Sequence, residues 1–341
     1  MEYKIKSKSN KDLEKKIIKF YKGKKIFLTG GNGFVGPYLI RYLLKYGAKI
    51  TVATRNTKSK KLLEFEKKIK IHNIDLNDYN NLNRYLKNND YVINLAAKVA
   101  GIEYNKKHSA SIFQDNLQMF FNIIKSSKEN KIKKFLTVSS ACVYPRYCSI
   151  PTPEEEGFKD EPEPTNSGYG WSKRMQEYLS KKYLEEFNLK TVIIRPYNCY
   201  GPGDNFATNS SHVIAALIKK AVNSKKELRV WGKGNHTRSF LYVDDFARGL
   251  VEFFAIHNKI EPINLGNDHE VSIKDLAGII TKIIKKIKNK NLKIIFEKTK
   301  TTGQPRRKGN LKKIKKIINF KSNFTLEDGI EETIKWYLKH K

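Results

Sequence analysis

Cysteine is scarce in this chain. Only three cysteines, at positions 142, 148 and 199, occur among its 341 residues, and their spacing matches no zinc-binding pattern. Domains that depend on disulfides carry many more cysteines for their length, so a disulfide scaffold is excluded as the basis of this fold. Free thiols are typical of a reducing compartment, and we therefore expect a cytoplasmic protein.

Long apolar runs are missing as well. No stretch reaches about 18 consecutive apolar residues, the length that a membrane-spanning helix requires. The first residues, MEYKIKSKSNKDLEKK, hold no apolar segment of a secretion signal. We therefore expect no membrane span. With 39% hydrophobic residues, a chain of this length can bury a full core, either as two domains or as one large domain with a lobe.

Acidic residues are few beside the basic ones. The chain has 34 Asp and Glu against 67 Lys and Arg, a formal net charge of +33, and 56 of the basic residues are lysines spread along its length. Proteins that read nucleic acid favour arginine for bidentate contacts with bases. We therefore expect solvated lysines and no nucleic-acid partner, with a surface for polyanions or anionic membranes as the alternative.

Apolar strands alternate with helical patterns through most of the chain. Helical segments of about 10–18 residues separate the strands, an alternation typical of a parallel, doubly wound sheet of the α/β class. The predicted strands span residues 25–29, 48–54, 69–74, 91–95, 135–138 and 191–194.

The regular alternation ends after Arg195-Pro196, where Pro, Gly and Asn cluster in residues 200–205 and predict a loop. Beyond it we predict short strands at 240–243 and 263–266 and otherwise mostly helices, including a basic amphipathic helix over 282–293. The predicted parts are a helical N-terminal extension (1–23), a dinucleotide-binding Rossmann domain (24–196, with 240–266 returning to it) and a smaller substrate-binding lobe (197–239 and 267–341).

Glycines are concentrated between the first predicted strand and the next helix, in the pattern Gly30-x-x-Gly33-x-x-Gly36. Glycine lets the backbone approach a dinucleotide pyrophosphate, and the helix N-terminus supplies free N–H groups. At the end of the second strand an NAD-binding chain usually carries an acid for the ribose hydroxyls. Here Arg55 occupies that region and can pair with a 2′-phosphate, so we predict NADP, with NAD as the alternative.

Tyr169 and Lys173 stand four residues apart at the start of a helical pattern, and Ser140 follows the fifth predicted strand. Residues at this spacing share one helix face. An ammonium beside a phenol favours the phenolate, so we expect Lys173 to lower the pKa of Tyr169 towards the working range. The trio suits proton transfer at an oxygen while a hydride moves at the attached carbon. A YxxxK pair alone is common on helix surfaces, and the glycine loop upstream is what strengthens this interpretation.

Together these motifs resemble the extended short-chain dehydrogenase/reductase family of nucleotide-sugar enzymes, also called the NAD-dependent epimerase/dehydratase family, over about residues 24–340. Further support comes from Asp75-Leu76, Leu95-Ala-Ala97, Arg195-Pro-x-Asn198-x-Tyr-Gly-Pro202 and Arg238-Ser-Phe-x-x-Val-Asp-Asp245. The resemblance implies an NADP-binding Rossmann fold. The cofactor contacts that it implies are Gly30, Gly33, Phe34, Val35, Arg55, Asp75, Leu76, Leu95, Ala96, Ala97, Asn116, Tyr169, Lys173, Pro196 and His212.

Within this family the chain most resembles the GDP-L-fucose synthases. The matching pieces are Ala97-Lys-Val-Ala-Gly-Ile102, Ser140-x-Cys142-Val-Tyr-Pro145 and Asn205-Phe-x-x-x-Ser-Ser-His212. The resemblance implies that Cys142 and His212 exchange protons for epimerisation beside the Ser140–Tyr169–Lys173 reduction centre. A thiol and an imidazole ordinarily titrate close enough to neutrality for both tasks. The GDP-sugar contacts that it implies are Cys142, Asn198, Lys220, Trp231, Arg238 and Arg306.

Some residues depart from that pattern and keep alternatives open. Ala141 replaces a hydroxyl residue, so that Ser139-Ser140-Ala141-Cys142 also resembles the GDP-mannose 3,5-epimerases, and Lys220 stands where an arginine is usual. A 3,5- or 4-epimerase that recycles its NAD(P) is therefore the second hypothesis. A non-catalytic NADP- or polyanion-binding protein is the third, and the intact trio argues against it. A dehydratase is disfavoured because no Asp-Glu pair follows Ser140.

The resemblance also implies a homodimer, paired through the helix that carries Asn116 and the helix that carries Tyr169 and Lys173. Both predicted helices contain apolar residues that would meet a second subunit. These are Leu117, Phe120, Ile124, Met175 and Leu179.

Overall fold

The structure is a computed structural model that describes residues 11–99, 101–207, 211–297 and 304–341. Its strands are β1 (Lys25–Thr29), β2 (Lys49–Thr54), β3 (Lys70–Asn73), β4 (Tyr91–Asn94), β5 (Lys134–Val138), β6 (Thr191–Pro196), β7 (Asn198–Tyr200), β8 (Glu227–Trp231), β9 (Thr237–Tyr242), β10 (Ile263–Leu265), β11 (Glu270–Ser272), β12 (Lys293–Glu297) and β13 (Arg306–Arg307). Its helices are α1 (Lys11–Tyr21), α2 (Gly36–Lys45), α3 (Lys60–Leu63), α4 (Tyr79–Leu86), α5 (Ile102–Lys107), α6 (Ser109–Glu129), α7 (Ser167–Phe187), α8 (Val213–Asn223), α9 (Val243–Ile256), α10 (Ile273–Lys288), α11 (Lys312–Ile318) and α12 (Leu326–His340).

Seven parallel strands form the large sheet, in the order β10-β6-β5-β4-β1-β2-β3. Alternate residues of a strand point to opposite faces of the sheet. In β1, Ile26 and Leu28 accordingly join one buried apolar cluster and Phe27 joins another. Helices cover both faces, and the predicted doubly wound α/β fold is confirmed.

The strand order reverses between β1 and β4, which lie side by side although β2 and β3 intervene in the chain. Where the order reverses, the connections leave towards opposite faces and open a crevice at the carboxyl ends of the strands. The glycine loop follows β1, and Leu95 to Ala97 follow β4. Predicted cofactor residues therefore meet at this crevice.

A smaller lobe follows β6. Its short strands pair as β11-β9-β13, with β7 also on β9, and as β12-β8. The lobe is otherwise mostly helical, as predicted, but the sequence did not predict β7, β8, β11, β12 and β13, because strands of two to five residues carry too little alternation to be recognised. Of residues 240–266, the end of β9 belongs to the small sheet and β10 to the large one. The division into domains stays a prediction.

The basic run over 282–293 is not one helix. Helix α10 ends at Lys288, and Asn289 adopts a left-handed backbone conformation with φ 48°. Asparagine tolerates this conformation at a helix end because its short polar side chain bonds locally. After a short connection the chain enters β12 at Lys293.

Helix α1 confirms the predicted N-terminal helix, and its inner face is packed into the main body. Ile17 and Tyr21 are fully buried. The Tyr21 hydroxyl donates to the carbonyl of Val251 in α9 at 2.8 Å, and the Phe20 ring stacks on Tyr91 with centroids 4.6 Å apart. Residues 1–10 lie outside the described residues.

Candidate functional site

The glycine loop is shaped by two close backbone approaches. Gly30 has φ +68°, and a Cβ there would lie 2.8 Å from the carbonyl carbon of Leu95. A Cβ on Gly36 would lie 2.1 Å from the carbonyl oxygen of Gly31. Side chains at these positions would therefore push the loop away from β4 and from the start of α2. No side chain caps the start of α2, and the N–H groups at a helix start are suited to bind an anion.

The other predicted cofactor residues lie along the carboxyl ends of the strands. The Asp75 carboxylate accepts from the backbone N–H of Asn77 at 2.9 Å, and the Leu76 carbonyl accepts from Asn122 at 2.8 Å. Asn116 is buried and holds the backbone of Lys98 by accepting from its N–H at 2.8 Å and donating to its carbonyl at 3.1 Å. The remaining members are either partly buried at the strand ends and the glycine loop (Phe34, Val35, Leu95, Ala96, Ala97, Pro196) or exposed at the end of β2 (Arg55).

Ser140, Cys142, Tyr169 and Lys173 meet in one cleft. The Ser140 hydroxyl accepts from the backbone N–H of Cys142 at 3.1 Å and interacts with the Tyr169 phenol. Tyr169 lies in the first turn of α7. One turn later, Lys173 donates from Nζ to the carbonyl of Val138 at 2.8 Å, and Nζ lies 5.6 Å from the Tyr169 ring centroid. The end of β5 and the start of α7 therefore assemble the predicted reduction trio.

The ionisation of this trio differs from our expectation for Tyr169. Burial raises the pKa of Tyr169 well above its usual value, the charge of Cys142 adds to this, and the hydrogen bond with Ser140 opposes it. Burial also lowers the pKa of Lys173 to about 8, against the opposing charges of Glu177 and Cys142. The expected lowering by the ammonium is outweighed because both groups have lost their water. Tyr169 is therefore a neutral phenol at pH 7, ready to donate a proton.

A buried ion pair between α7 and β6 lies next to the end of β5. Arg195 donates from Nε and Nη2 to the two carboxylate oxygens of Glu177 at 2.8 and 2.7 Å, and the Ser139 hydroxyl also donates to Glu177. Both charged side chains are almost fully buried. Removing one partner would leave an unpaired buried charge, so this pair ties α7 to β6 beneath the trio.

The lobe brings Arg307 to the Cys142 thiol. Arg307 Nη1 lies 3.7 Å from the Cys142 sulfur, and its Nε donates to Gln304 at 2.9 Å. Gln304 is buried and donates in turn to the carbonyl of Pro145 at 2.9 Å. Strand β13 sets Arg307 beside Arg238 on β9. Neither Arg307 nor Gln304 was predicted from the sequence. For Arg307 the reason is that only the register of a two-residue strand distinguishes it from its neighbour.

The neighbour, Arg306, makes a different contact. Its Nε and Nη2 donate to the two oxygens of Glu270 at 3.0 and 2.7 Å, and its side chain is 55% exposed. Arg238 is partly buried, and burial together with the charge of Arg307 lowers its pKa. Two guanidinium groups, those of Arg238 and Arg307, therefore lie side by side on the lobe, an arrangement suited to an anionic ligand.

The other predicted substrate residues lie further along the lobe. Asn198 donates to the carbonyl of Ser239 at 2.9 Å, which joins β7 to β9. Lys220 Nζ lies 4.9 Å from the ring centroid of Trp231, a residue that is 42% exposed. An exposed indole beside a cation is suited to stacking on a planar base.

His212 lies immediately before α8. Its Nδ1 is 3.3 Å from a carboxylate oxygen of Asp204, a partner that the sequence analysis missed. The signal available was weak, since Asp204 lies eight residues earlier in a loop rich in glycine and asparagine. Of the described residues, no group of three or more His, Cys, Asp or Glu is arranged to hold a metal ion. No helix in the described ranges is long and apolar enough to cross a membrane.

Comparisons with known proteins agree with this geometry. The model of the NAD dependent epimerase/dehydratase family matches residues 26–266. GDP-L-fucose synthase 1 of Arabidopsis thaliana is 32% identical over 326 residues, covering 94% of this chain and 94% of that protein. A GDP-L-fucose synthetase from Naegleria fowleri, solved bound to NADP, superposes with a TM-score of 0.78 at 26% identity and 93% coverage of each chain. A UDP-glucose 4-epimerase from Thermotoga maritima, solved with UDP-glucose, shares the fold, with a TM-score of 0.82 at 22% identity over 93% of this chain and 99% of that one.

Proposed function

Because the chain belongs to the NAD dependent epimerase/dehydratase family, we propose that it is an NADPH-dependent 3,5-epimerase and 4-reductase of a GDP-4-keto-6-deoxyhexose. The observation that carries this proposal is the placement of the Cys142 thiol beside the Ser140–Tyr169–Lys173 trio. A reductase alone has no need of a thiol at this point. The relatives named GDP-L-fucose synthase support the choice of GDP and of the 4-ketone.

The crevice fits a dinucleotide. Gly30 and Gly36 leave no room for a side chain where the loop approaches β4 and α2, and the first N–H groups of α2 are free of a side-chain cap. Lys173 uses two of its three N–H donors on Val138 and Gln176 and keeps one for a ribose hydroxyl. Arg55 lies at the end of β2, within the region where a 2′-phosphate would be held. NADPH, when bound, supplies the hydride.

Epimerisation needs a proton removed from one face of a carbon and delivered to the other. The carbons beside the C4 ketone are acidic because the resulting negative charge moves to the C4 oxygen. Cys142 and His212 form the acid/base pair for C3 and C5, and the hydroxyls of Ser140 and Tyr169 stabilise the oxygen. Arg238 and Arg307 hold the diphosphate side of the substrate in this arrangement.

Reduction uses the neutral phenol of Tyr169. As the C4 carbon becomes tetrahedral, Tyr169 donates its proton to the C4 oxygen while Ser140 polarises the carbonyl. The phenolate that remains is stabilised by the Lys173 ammonium one helical turn away. The raised pKa of Tyr169 therefore agrees with a reductase, which needs a proton donor.

The test is to incubate the purified protein with GDP-4-keto-6-deoxymannose and NADPH in deuterated water. We expect loss of the nicotinamide absorbance and a product that carries deuterium at C3 and C5. Stable absorbance together with an unchanged sugar would contradict the proposal.

The sequence Ser139-Ser140-Ala141-Cys142 favours a second candidate function. This candidate is an epimerase that recycles its cofactor. The same experiment separates the two. Isomerisation of the sugar without net consumption of NADPH would favour the second candidate.

We further propose a homodimer formed by α6 and α7. Phe120 and Ile124, expected at the interface from the sequence, instead pack inside the subunit because they face the large sheet. The outward apolar faces of the two helices form adjoining shallow grooves lined by Phe113, Leu117, Phe121, Trp171 and Met175, among others. At micromolar protein, sedimentation should give about twice the 39.6 kDa mass of one chain. A mass of one chain would contradict the proposal.

A cytosolic location stays part of the proposal. The three cysteines are free thiols, which agrees with a reducing compartment. Fractionation of the source cells should recover the protein with the cytosol, and recovery with membranes would contradict it.

A further inference from the structure

The loop over residues 201–207 is held down by two side chains from the cofactor side of the cleft. The Tyr38 hydroxyl, in α2, donates to the carbonyl of Pro202 at 3.0 Å. Lys61, in α3, donates from Nζ to the carbonyl of Gly203 at 3.2 Å. The loop is therefore anchored next to the helix that follows the glycine loop, and a side chain that it carries has a defined position.

Asp204 is the buried acid of this loop. Its side chain is 3% exposed. Oδ1 accepts from the backbone N–H of Asn205 at 2.7 Å and lies 3.3 Å from Nδ1 of His212. Oδ2 is buried and has no hydrogen-bond partner among the described residues. The hydrogen bond to the Asn205 N–H is enough to shape the loop. The contact with the His212 imidazole is not needed for that and points to a second role of Asp204.

The contact determines where His212 carries its proton. An ionised carboxylate only accepts hydrogen bonds, so Nδ1 must be the protonated nitrogen of a neutral His212. Nε2 then has a free lone pair, and it carries a proton when the imidazole is charged. The His212 side chain is 47% exposed. With Nδ1 directed at the buried carboxylate, Nε2 is the nitrogen left to reach a ligand.

We propose that Asp204 is the positioning residue of His212, holding the imidazole with Nδ1 protonated so that Nε2 exchanges the proton with the sugar carbon. Asp204 itself touches no reacting atom. This inference rests on the proposed function, since it concerns the epimerisation half of that reaction.

The charges around the pair support this role. Burial acts to lower the pKa of His212, but the hydrogen bond and the charge of Asp204 outweigh it and raise that pKa. Among the described residues, the other titratable groups whose pKa the charge of Asp204 affects are Lys61 and Cys199. Burial lowers the pKa of Lys61 while Asp204 opposes the shift, and burial raises the pKa of the Cys199 thiol. At pH 7 Cys199 is therefore neutral, and Lys61 is a nearby positive charge that Asp204 also balances.

The experiment compares Asp204→Asn, His212→Gln and the double variant with the wild-type enzyme, using GDP-4-keto-6-deoxymannose and NADPH in deuterated water. An amide in place of the carboxylate can present its NH₂ to Nδ1 and so favours the wrong tautomer. We expect Asp204→Asn to slow deuterium incorporation by about 10- to 100-fold while NADPH oxidation by direct reduction continues. The double variant should be no slower than His212→Gln alone, because Asp204 acts through His212.

The pH profile provides a readout that a merely structural loss would not change. Removing the carboxylate removes the effect that raises the pKa of His212. In a plot of deuterium exchange rate against pH, the inflection that His212 causes should therefore move to lower pH in Asp204→Asn. Asp204→Glu tests placement, since it keeps the charge and moves the oxygen. Asp160→Asn, at an exposed acid, is the control for loss of one negative charge.

Each outcome decides the inference. Wild-type exchange rates in Asp204→Asn, an unmoved inflection, or a double variant that exchanges more slowly than His212→Gln alone would overturn it. If Asp204→Asn fails to fold by circular dichroism, the rate of deuterium exchange in Asp204→Glu decides, and a wild-type rate there also overturns it. A wild-type enzyme that neither exchanges nor reduces would instead refute the proposed function, which separates the two failures.

Discussion

The cleft has two sides, one built on the large sheet and one built on the lobe. They differ in the hydrogen-bond partners that position their functional side chains. On the sheet side, Ser140, Tyr169 and Lys173 come from the end of one strand and the start of the next helix, and backbone atoms bond two of them. On the lobe side, Arg307 depends on Gln304. His212 depends in the same way on another side chain, that of Asp204. Chemistry that is held by the backbone can be recognised from local spacing, whereas chemistry held by distant side chains cannot.

The sharpest test of this comparison is Tyr169→Phe, on the sheet side. Removing the proton donor should lower NADPH oxidation by about 10²- to 10⁴-fold. Cys142 and His212 should still exchange solvent deuterium into the sugar, with Ser140 left to stabilise the C4 oxygen. Absorbance of the nicotinamide and mass spectrometry of the sugar measure the two activities. Tyr178→Phe is the matched control, since Tyr178 lies on the same helix and is 53% exposed. Equal loss of both activities would show that the two sides do not act separately.

Cys142→Ser is the reciprocal change. A serine keeps the volume but is a far weaker acid than a thiol, so it cannot serve as the base near neutral pH. Deuterium exchange at C3 and C5 should fall by about 10²- to 10⁴-fold, and the 4-ketone should still be reduced to an unepimerised GDP-6-deoxyhexose. Cys148→Ser, in the same loop, controls for general damage. Full exchange in Cys142→Ser would make Cys142 a packing residue and would remove the support for this subfamily.

The adjacent arginines of β13 offer a test of side-chain placement on the lobe. Arg307→Met should lower kcat/KM for the GDP-sugar by about 10- to 100-fold, the value of a hydrogen bond to a charged group. Arg306→Met should change it by less than about threefold, because exposed ion pairs contribute little. Steady-state kinetics at saturating NADPH measure both variants. The reverse ranking would mean that the small sheet has another register when substrate is bound.

The smallest expected effect is that of pH on reduction. Lys173 has a pKa of about 8 in the folded protein, so its ammonium, which stabilises the Tyr169 phenolate, is lost as the pH rises through 8. We expect kcat/KM for NADPH oxidation to fall several-fold from pH 7 to pH 9. A flat profile over that range would contradict this role for Lys173.

The same shift predicts the opposite trend for stability. Between pH 8 and the unfolded value of 10.5, the unfolded chain binds the proton that folded Lys173 has lost, so Lys173 makes the free energy of unfolding rise with pH. Lys173→Met should remove this contribution and should be more stable at pH 7, where the buried charge is costly. Denaturant unfolding at pH 7 and 9 measures both differences.

Much of the fold and the sheet side of the site could be predicted from the sequence, because the signals there are local. Gly30 to Gly36 is one turn, and Tyr169 and Lys173 are one helical turn apart. Arg307 could not be predicted over Arg306, since that choice depends on the pairing of β13 with a strand nearly 70 residues earlier. The neutral state of Tyr169 could not be predicted either. Burial determines it, and burial depends on how the whole chain packs around the phenol.

Helix α1 has a consequence for how the protein is made. Tyr21 reaches the carbonyl of Val251, 230 residues later in the chain. The edge strand β10, which completes the large sheet beside β6, ends at Leu265. During synthesis, the docking surface of the first helix is therefore incomplete until α9 has emerged from the ribosome, although Tyr91, on which Phe20 stacks, is made earlier. A chain paused before residue 265 exposes both the edge of β6 and the buried face of α1, so chaperone capture and aggregation should concentrate on nascent chains shorter than this.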